Sequence, residues 1–161
     1  MLGVGDKAPE FKAPCSTGVD LVLADVLKLG PVVLYFYNQD FTPGCTAQAR
    51  RFRDSAQELT ALGAQVVGVS KDSVESHQAF VKRLTLGFPL VADEDRRIMK
   101  AFGVRSLFGF VDRVTFVIDQ DGVIRAATRS LLNMDQHVDV AVDALKAIRE
   151  RLPAVPQPQV S

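Results

Sequence analysis

A chain of 161 residues, 47% apolar and 24% charged, is long enough for one domain with a proper core. Lys plus Arg and Asp plus Glu balance at 19 each, which argues against an electrostatic footprint for nucleic acid or an anionic membrane. Two cysteines, with no Cys-x-x-Cys, are too few for a disulfide framework, and with two scattered histidines they lack metal-ligand spacing. No apolar run approaches bilayer length, and Met1 to Lys7 has neither a basic nor a long apolar leader region, so the expected compartment is the cytosol, where thiols stay reduced.

Along the chain, residues 8–24 alternate weakly around Pro9, Pro14 and Gly18 and predict a short strand, a turn and a second strand ending near Leu23. Residues 31–38 hold Val32-Val33-Leu34-Tyr35-Phe36-Tyr37, an apolar, β-branched and aromatic run expected of a central strand. A helix is predicted over 44–62, with Ala49, Phe52, Ala56, Leu59 and Leu62 at helical spacing and Gly63 as its stop. Strand 65–70 follows, and strand–helix–strand order implies parallel pairing through a right-handed crossover. Further expectations are a helix over 73–86 capped by Ser73, a strand over 88–92, a short helix over 94–102, a hairpin of 113–119 with 123–128, and a helix over 135–151. Residues 1–152 form one expected domain, and the Pro-rich 153–161 an expected flexible tail. The sum is an α/β protein with a thioredoxin-like order of elements: a central mixed sheet flanked by helices, with an N-terminal β-hairpin.

Cys45 carries the most information. It follows Thr42, Pro43 and Gly44 where the buried strand hands over to the helix. Thr42 can cap that helix and Pro43 can be its first residue. Cys45 then lies in the first turn, where unpaired N–H groups and the helix dipole favour a thiolate, the nucleophilic form. The bland alternative is a small buried hydrophobe.

The stretch from Tyr35 to Gln48, Tyr-Phe-Tyr-Asn-Gln-Asp-Phe-Thr-Pro-Gly-Cys-Thr-Ala-Gln, resembles the active-site segment of peroxiredoxins, and Thr-Pro-Gly-Cys-Thr resembles the bacterioferritin-comigratory, or PrxQ, branch. Gly5 to Phe11, Phe52-Arg53-Asp54, Val67 to Ser73, Asp93-Glu94-Asp95, Phe102-Gly103-Val104 and Arg113 to Asp119 agree in order and spacing, so the resemblance covers roughly residues 4 to 150. It implies a thioredoxin-like fold and a thiol peroxidase that reduces hydrogen peroxide and small organic hydroperoxides, recycled by thioredoxin or a similar dithiol, without metal, haem or flavin. It implies that Cys45 is the peroxidatic cysteine. Thr42, the Cys45 N–H and Arg113 would supply donors to the peroxide oxygens, and Gln48 would orient Arg113.

Two departures bear on mechanism. Asn38 stands where the family places a proline, so a less enclosed pocket is expected. No cysteine occupies the family's resolving positions: Arg50 stands at one, and residues 73–86 contain none. Either Cys15 resolves Cys45, within the chain or between two chains, or the enzyme has one working cysteine and an external thiol attacks its sulfenic acid. Leu107, Phe108 and Phe110, just before Arg113, are expected as core, pocket wall or dimer contact, so the chain is expected to be a monomer or weak homodimer. A slow-turnover peroxide sensor would share the site. A cysteine hydrolase would need a histidine base, and neither His77 nor His137 stands in a recognisable pairing with Cys45.

Overall fold

The computed structural model describes residues 1–108 and 110–151; the expected tail at 153–161 lies outside them. The elements are β1 (Lys12–Ala13), β2 (Leu21–Val22), α1 (Leu23–Leu29), β3 (Val32–Phe36), α2 (Pro43–Asp54), α3 (Ala56–Ala61), β4 (Gln65–Ser70), α4 (Val74–Leu84), β5 (Leu90–Ala92), α5 (Arg97–Ala101), β6 (Ser106–Leu107), β7 (Phe110–Val111), β8 (Val114–Ile118), β9 (Ile124–Arg129) and α6 (Met134–Arg151). β5, β4, β3, β8 and β9 make one sheet in that order. β3 pairs in parallel with β4, and β4 with β5, while β8 runs antiparallel to both β3 and β9. The expected mixed sheet is present, and β1 with β2 forms the expected N-terminal hairpin.

Strand alternation sorts the core into two layers. Val32, Leu34 and Phe36 of β3 pack with Leu23, Ile98, Met99, Phe102 and Phe116 on one face. Val33, Tyr35 and Tyr37 pack with Phe52 of α2, Phe80 of α4 and Val138, Ala141 and Leu145 of α6 on the other. The buried face of α6 is made of Val138, Ala141, Val142, Leu145 and Ile148 at helical spacing, with His137 beside them.

The structure differs from expectation at three places. The helix α1 was not foreseen; it has seven residues, no side-chain cap and only Leu23 and Leu27 buried, too short for a periodic signal. The helix predicted over 44–62 breaks at Ser55, whose N–H is shared between the carbonyls of Arg51 and Phe52 and whose hydroxyl is taken by Arg51. Ser106–Leu107 and Phe110–Val111, for which no strand was expected, pair as the small β6–β7 hairpin. No helix among the described residues is long and apolar enough to cross a membrane.

Candidate active site

Buried β3 ends at Phe36, and six residues later the chain enters α2 through Thr42, in extended conformation, and Pro43. The first helical bond runs from the Thr46 N–H to the Thr42 carbonyl at 2.8 Å. The N–H groups of Gly44 and Cys45 therefore have no carbonyl within the helix to bond. Cys45 is 1% exposed, so its sulfur, carried in the first turn at the positive helix end, is shielded from water. Thr42 occupies the predicted cap position, but its hydroxyl donates to the Gln39 carbonyl at 3.1 Å rather than accepting from the first turn. The loop carbonyl competes successfully for the hydroxyl.

Arg113 immediately precedes β8. Because Phe36 and Val114 are register partners, the last residue of β3 and Arg113 emerge at the same end of the sheet. The Arg113 Nη1 donates to Cys45 Sγ at 3.1 Å and to Gln48 Oε1 at 3.4 Å. Arg113 is absent from the ion pairs found among the described residues, so no carboxylate partner divides its charge with the sulfur. Gly44 makes room for this: a Cβ there would lie 2.5 Å from Arg113 Nη2. Gly44→Ala is expected to displace the guanidinium, a flexible side-chain end, and to slow Cys45 oxidation by about tenfold. Thermal unfolding should hardly change, and stopped-flow oxidation with a melting curve checks both.

The sequence pattern of the AhpC/TSA family matches residues 4–127. The chain belongs to the peroxiredoxins. It is 40% identical over 147 residues to the chloroplastic peroxiredoxin Q of Sedum lineare, covering 90% of this chain and 78% of that one. The crystal structure of peroxidoxin BcpB from Mycobacterium tuberculosis superposes with a TM-score of 0.87 at 39% identity, covering 92% and 99% of the two chains. Peroxiredoxin Q of Xanthomonas campestris superposes with a TM-score of 0.76 at 33% identity, covering 85% and 90%. The protein is accordingly a thiol-dependent peroxidase of the PrxQ branch, with a peroxide substrate and a thiol reductant such as thioredoxin.

Around the sulfur, this peroxiredoxin buries two polar atoms that have no hydrogen-bond partner among the described residues, Gln48 Nε2 and Tyr35 Oη. Burial above all, then the charges of Asp40 and Cys45, pushes the Tyr35 phenol well above its ordinary range and keeps it protonated. Behind Arg113, buried His137 donates from Nε2 to the Ser130 carbonyl at 2.9 Å, so its Nδ1 accepts from the Thr115 hydroxyl at 2.7 Å. That assignment makes the ring neutral. Burial lowers its pKa against the opposing hydrogen bond to Ser130, and the Arg113 charge lowers it further. Below the ordinary histidine value of about 6.5 the unfolded chain takes up a proton that the folded ring refuses. Stability is therefore expected to fall as pH drops from about 6.5 through the lowered folded value. Melting temperatures across that range should show the loss, with a shallower slope in His137→Gln.

Cys15 is not brought to Cys45. It packs in the β3 layer that holds Leu34 and Phe36, whereas Cys45 packs with Tyr35 and Tyr37 across the sheet. Its thiol donates to the Val19 carbonyl at 3.1 Å, with Thr17 Oγ1 at 3.0 Å. The neighbouring backbone is tied to β5, from Ser16 N–H to Leu90 O and from Ala92 N–H to Pro14 O. Neither histidine serves Cys45 as a base, since both rings spend their nitrogens elsewhere.

Asn38 does not leave the sulfur open. Its Oδ1 accepts from the Val111 N–H at 3.1 Å and ties the active-site loop to β7. Leu107, Phe108 and Phe110 are exposed, Phe108 at 91%, so of the three expectations for them core packing is ruled out. Two residues to which the sequence assigned no part in the site complete the surroundings: Asp40, inside the motif, and His77, weighed only as a base for Cys45 and found on the buried face of α4 with Phe80 and Leu84. A polar residue at a core position of a predicted helix was the available signal. With Asp72 they offer metal-ligand atoms within 4.8 Å of one another. In this arrangement those atoms bond one another and nearby hydroxyl, amide and carbonyl groups.

Proposed function

We propose that Cys45 is the peroxidatic cysteine and that Arg113, Thr42 and Gln48 serve it. The 3.1 Å contact from Arg113 Nη1 to Cys45 Sγ, at the start of α2, carries this reading. The thiolate attacks one peroxide oxygen; a sulfur–oxygen bond forms, the oxygen–oxygen bond breaks, and the leaving oxygen takes a proton as water or an alcohol. Negative charge moves from sulfur to that oxygen, within reach of the guanidinium and the Cys45 N–H. With its own proton on Gln39, the Thr42 hydroxyl accepts the hydrogen of the incoming hydroperoxide. Gln48 steadies Arg113 through Oε1 and offers Nε2–H to an oxygen on the sulfur.

The opposite-face placement of Cys15 favours a single working cysteine: an external thiol attacks the sulfenic acid, water leaves, and a second thiol frees Cys45 from the mixed disulfide. The exposed apolar hairpin next to Arg113 suits small organic hydroperoxides as well as hydrogen peroxide, and suits weak pairing of two copies. The compartment is the cytosol, the chain through 152 acts as one domain, and turnover, not sensing, is the activity. The test is oxidation of the reduced protein by excess hydrogen peroxide, followed by peptide mass. Oxidation far faster than a free thiol, one oxygen added at Cys45 and Cys15 still reduced is the expected result. Oxidation at a free thiol's rate overturns the proposal.

A further inference from the structure

Between the end of β3 and the start of α2, the chain leading to the reactive sulfur is tied to α4 through one buried carboxylate. Asp40 Oδ1 accepts from the Tyr37 hydroxyl at 2.5 Å, and Oδ2 accepts from the Ser76 hydroxyl at 2.9 Å and faces His77 Nδ1 at 2.7 Å. The Asp40 N–H donates to Asp72 Oδ2 at 2.9 Å, which also accepts from Ser70. His77 is fully buried and braced from behind, its Nε2 donating to the Val91 carbonyl of β5 at 3.0 Å. A carbonyl only accepts, so Nε2 carries a proton, and one further proton lies in the short bond between Nδ1 and Asp40. The next residue, Phe41, has φ 66°, a left-handed conformation that a bulky side chain adopts only when its surroundings compel it. Its ring meets Phe80 of α4 edge-on, 5.0 Å between centroids. Pro43 and α2 follow immediately.

We infer that His77 is a positioning residue for the peroxidatic loop: by holding Asp40 against α4 and β5 it keeps Phe41 left-handed and sets where α2 begins, and so where the Cys45 sulfur stands relative to Arg113. This rests on Cys45 being the peroxidatic cysteine. The same bonds oppose the opening that an external thiol needs, because the sulfur they hold is 1% exposed. A loosened loop therefore slows oxidation and does not slow reduction, a split that general damage to the fold does not produce.

The two ring nitrogens can be separated. In His77→Asn the amide nitrogen falls near the Nδ1 position and keeps a donor for Asp40; in His77→Gln it falls near Nε2 and keeps only the bond to Val91. Single-turnover oxidation by hydrogen peroxide and single-turnover reduction of the oxidised protein by dithiothreitol would be measured for both, with melting curves. His77→Gln is expected to oxidise at least about tenfold more slowly than wild type, with reduction as fast or faster, and His77→Asn to recover most of the oxidation rate. Asp40→Asn gives the same split should His77→Gln fail to fold. Wild-type oxidation in His77→Gln, an equal loss in both His77 variants, or parallel loss of oxidation, reduction and melting temperature overturns the inference. Wild type reacting no faster than a free thiol defeats the peroxidatic reading instead; fast wild type with an unchanged His77→Gln defeats only the positioning role.

Discussion

Replacing Arg113 with alanine is expected to slow oxidation of Cys45 by roughly 10²–10³-fold, the loss usual when a preorganised donor to developing charge is removed. The side chain does two jobs at one place. Its Nη1, 3.1 Å from the sulfur, favours the thiolate before reaction and faces the oxygen that gathers charge during it. Its guanidinium brings a formal positive charge into hydrogen-bond contact with that sulfur, and alanine removes that charge outright. Arg113→Lys keeps the charge but loses the planar fork that reaches Cys45 and Gln48 together, and is expected to fall between alanine and wild type. The half-buried guanidinium anchors no ion pair among the described residues, so thermal unfolding should move little. Stopped-flow oxidation by hydrogen peroxide checks the prediction; a rate unchanged in Arg113→Ala would assign activation of the sulfur to the helix terminus alone.

Cys45→Ser is expected to abolish peroxide reduction, and Cys15→Ser to leave steady-state turnover with thioredoxin within about twofold of wild type. A disulfide requires Cα atoms about 4.4–6.8 Å apart with side chains turned toward each other. Here the sheet lies between the two thiols, each packed into a different layer. Bridging them within one chain would mean stripping residues 14–16 from β5 as well as opening the start of α2. A bridge between chains would need the same release of Cys15, which is 2% exposed. Coupled turnover assays, with non-reducing gels of the oxidised protein, decide it. Loss of turnover in Cys15→Ser, with a Cys15–Cys45 disulfide in oxidised wild type, would restore Cys15 as the resolving residue.

Much of this was readable from the chain alone, for a physical reason. The strand run at Val32–Tyr37, the Thr42-Pro43 helix start and the face of α6 are local patterns, set by periodicity and by which residues tolerate a helix terminus. They sufficed to place Cys45 in a first turn and to mark Arg113 as its partner through resemblance. Three things needed the tertiary structure. The meeting of Arg113 with a sulfur 68 residues away depends on the register of β3 against β8. The separation of Cys15 from Cys45 depends on which face of the sheet each lands on, and no spacing encodes that when one lies in an irregular segment beside β5. The Asp40–His77 hydrogen bond joins a loop to the buried face of a helix 37 residues on. Local sequence determines what each segment can be; only packing decides which buried polar groups must satisfy one another, because a hydrogen bond forms where two partners meet in space and not where they stand in the chain.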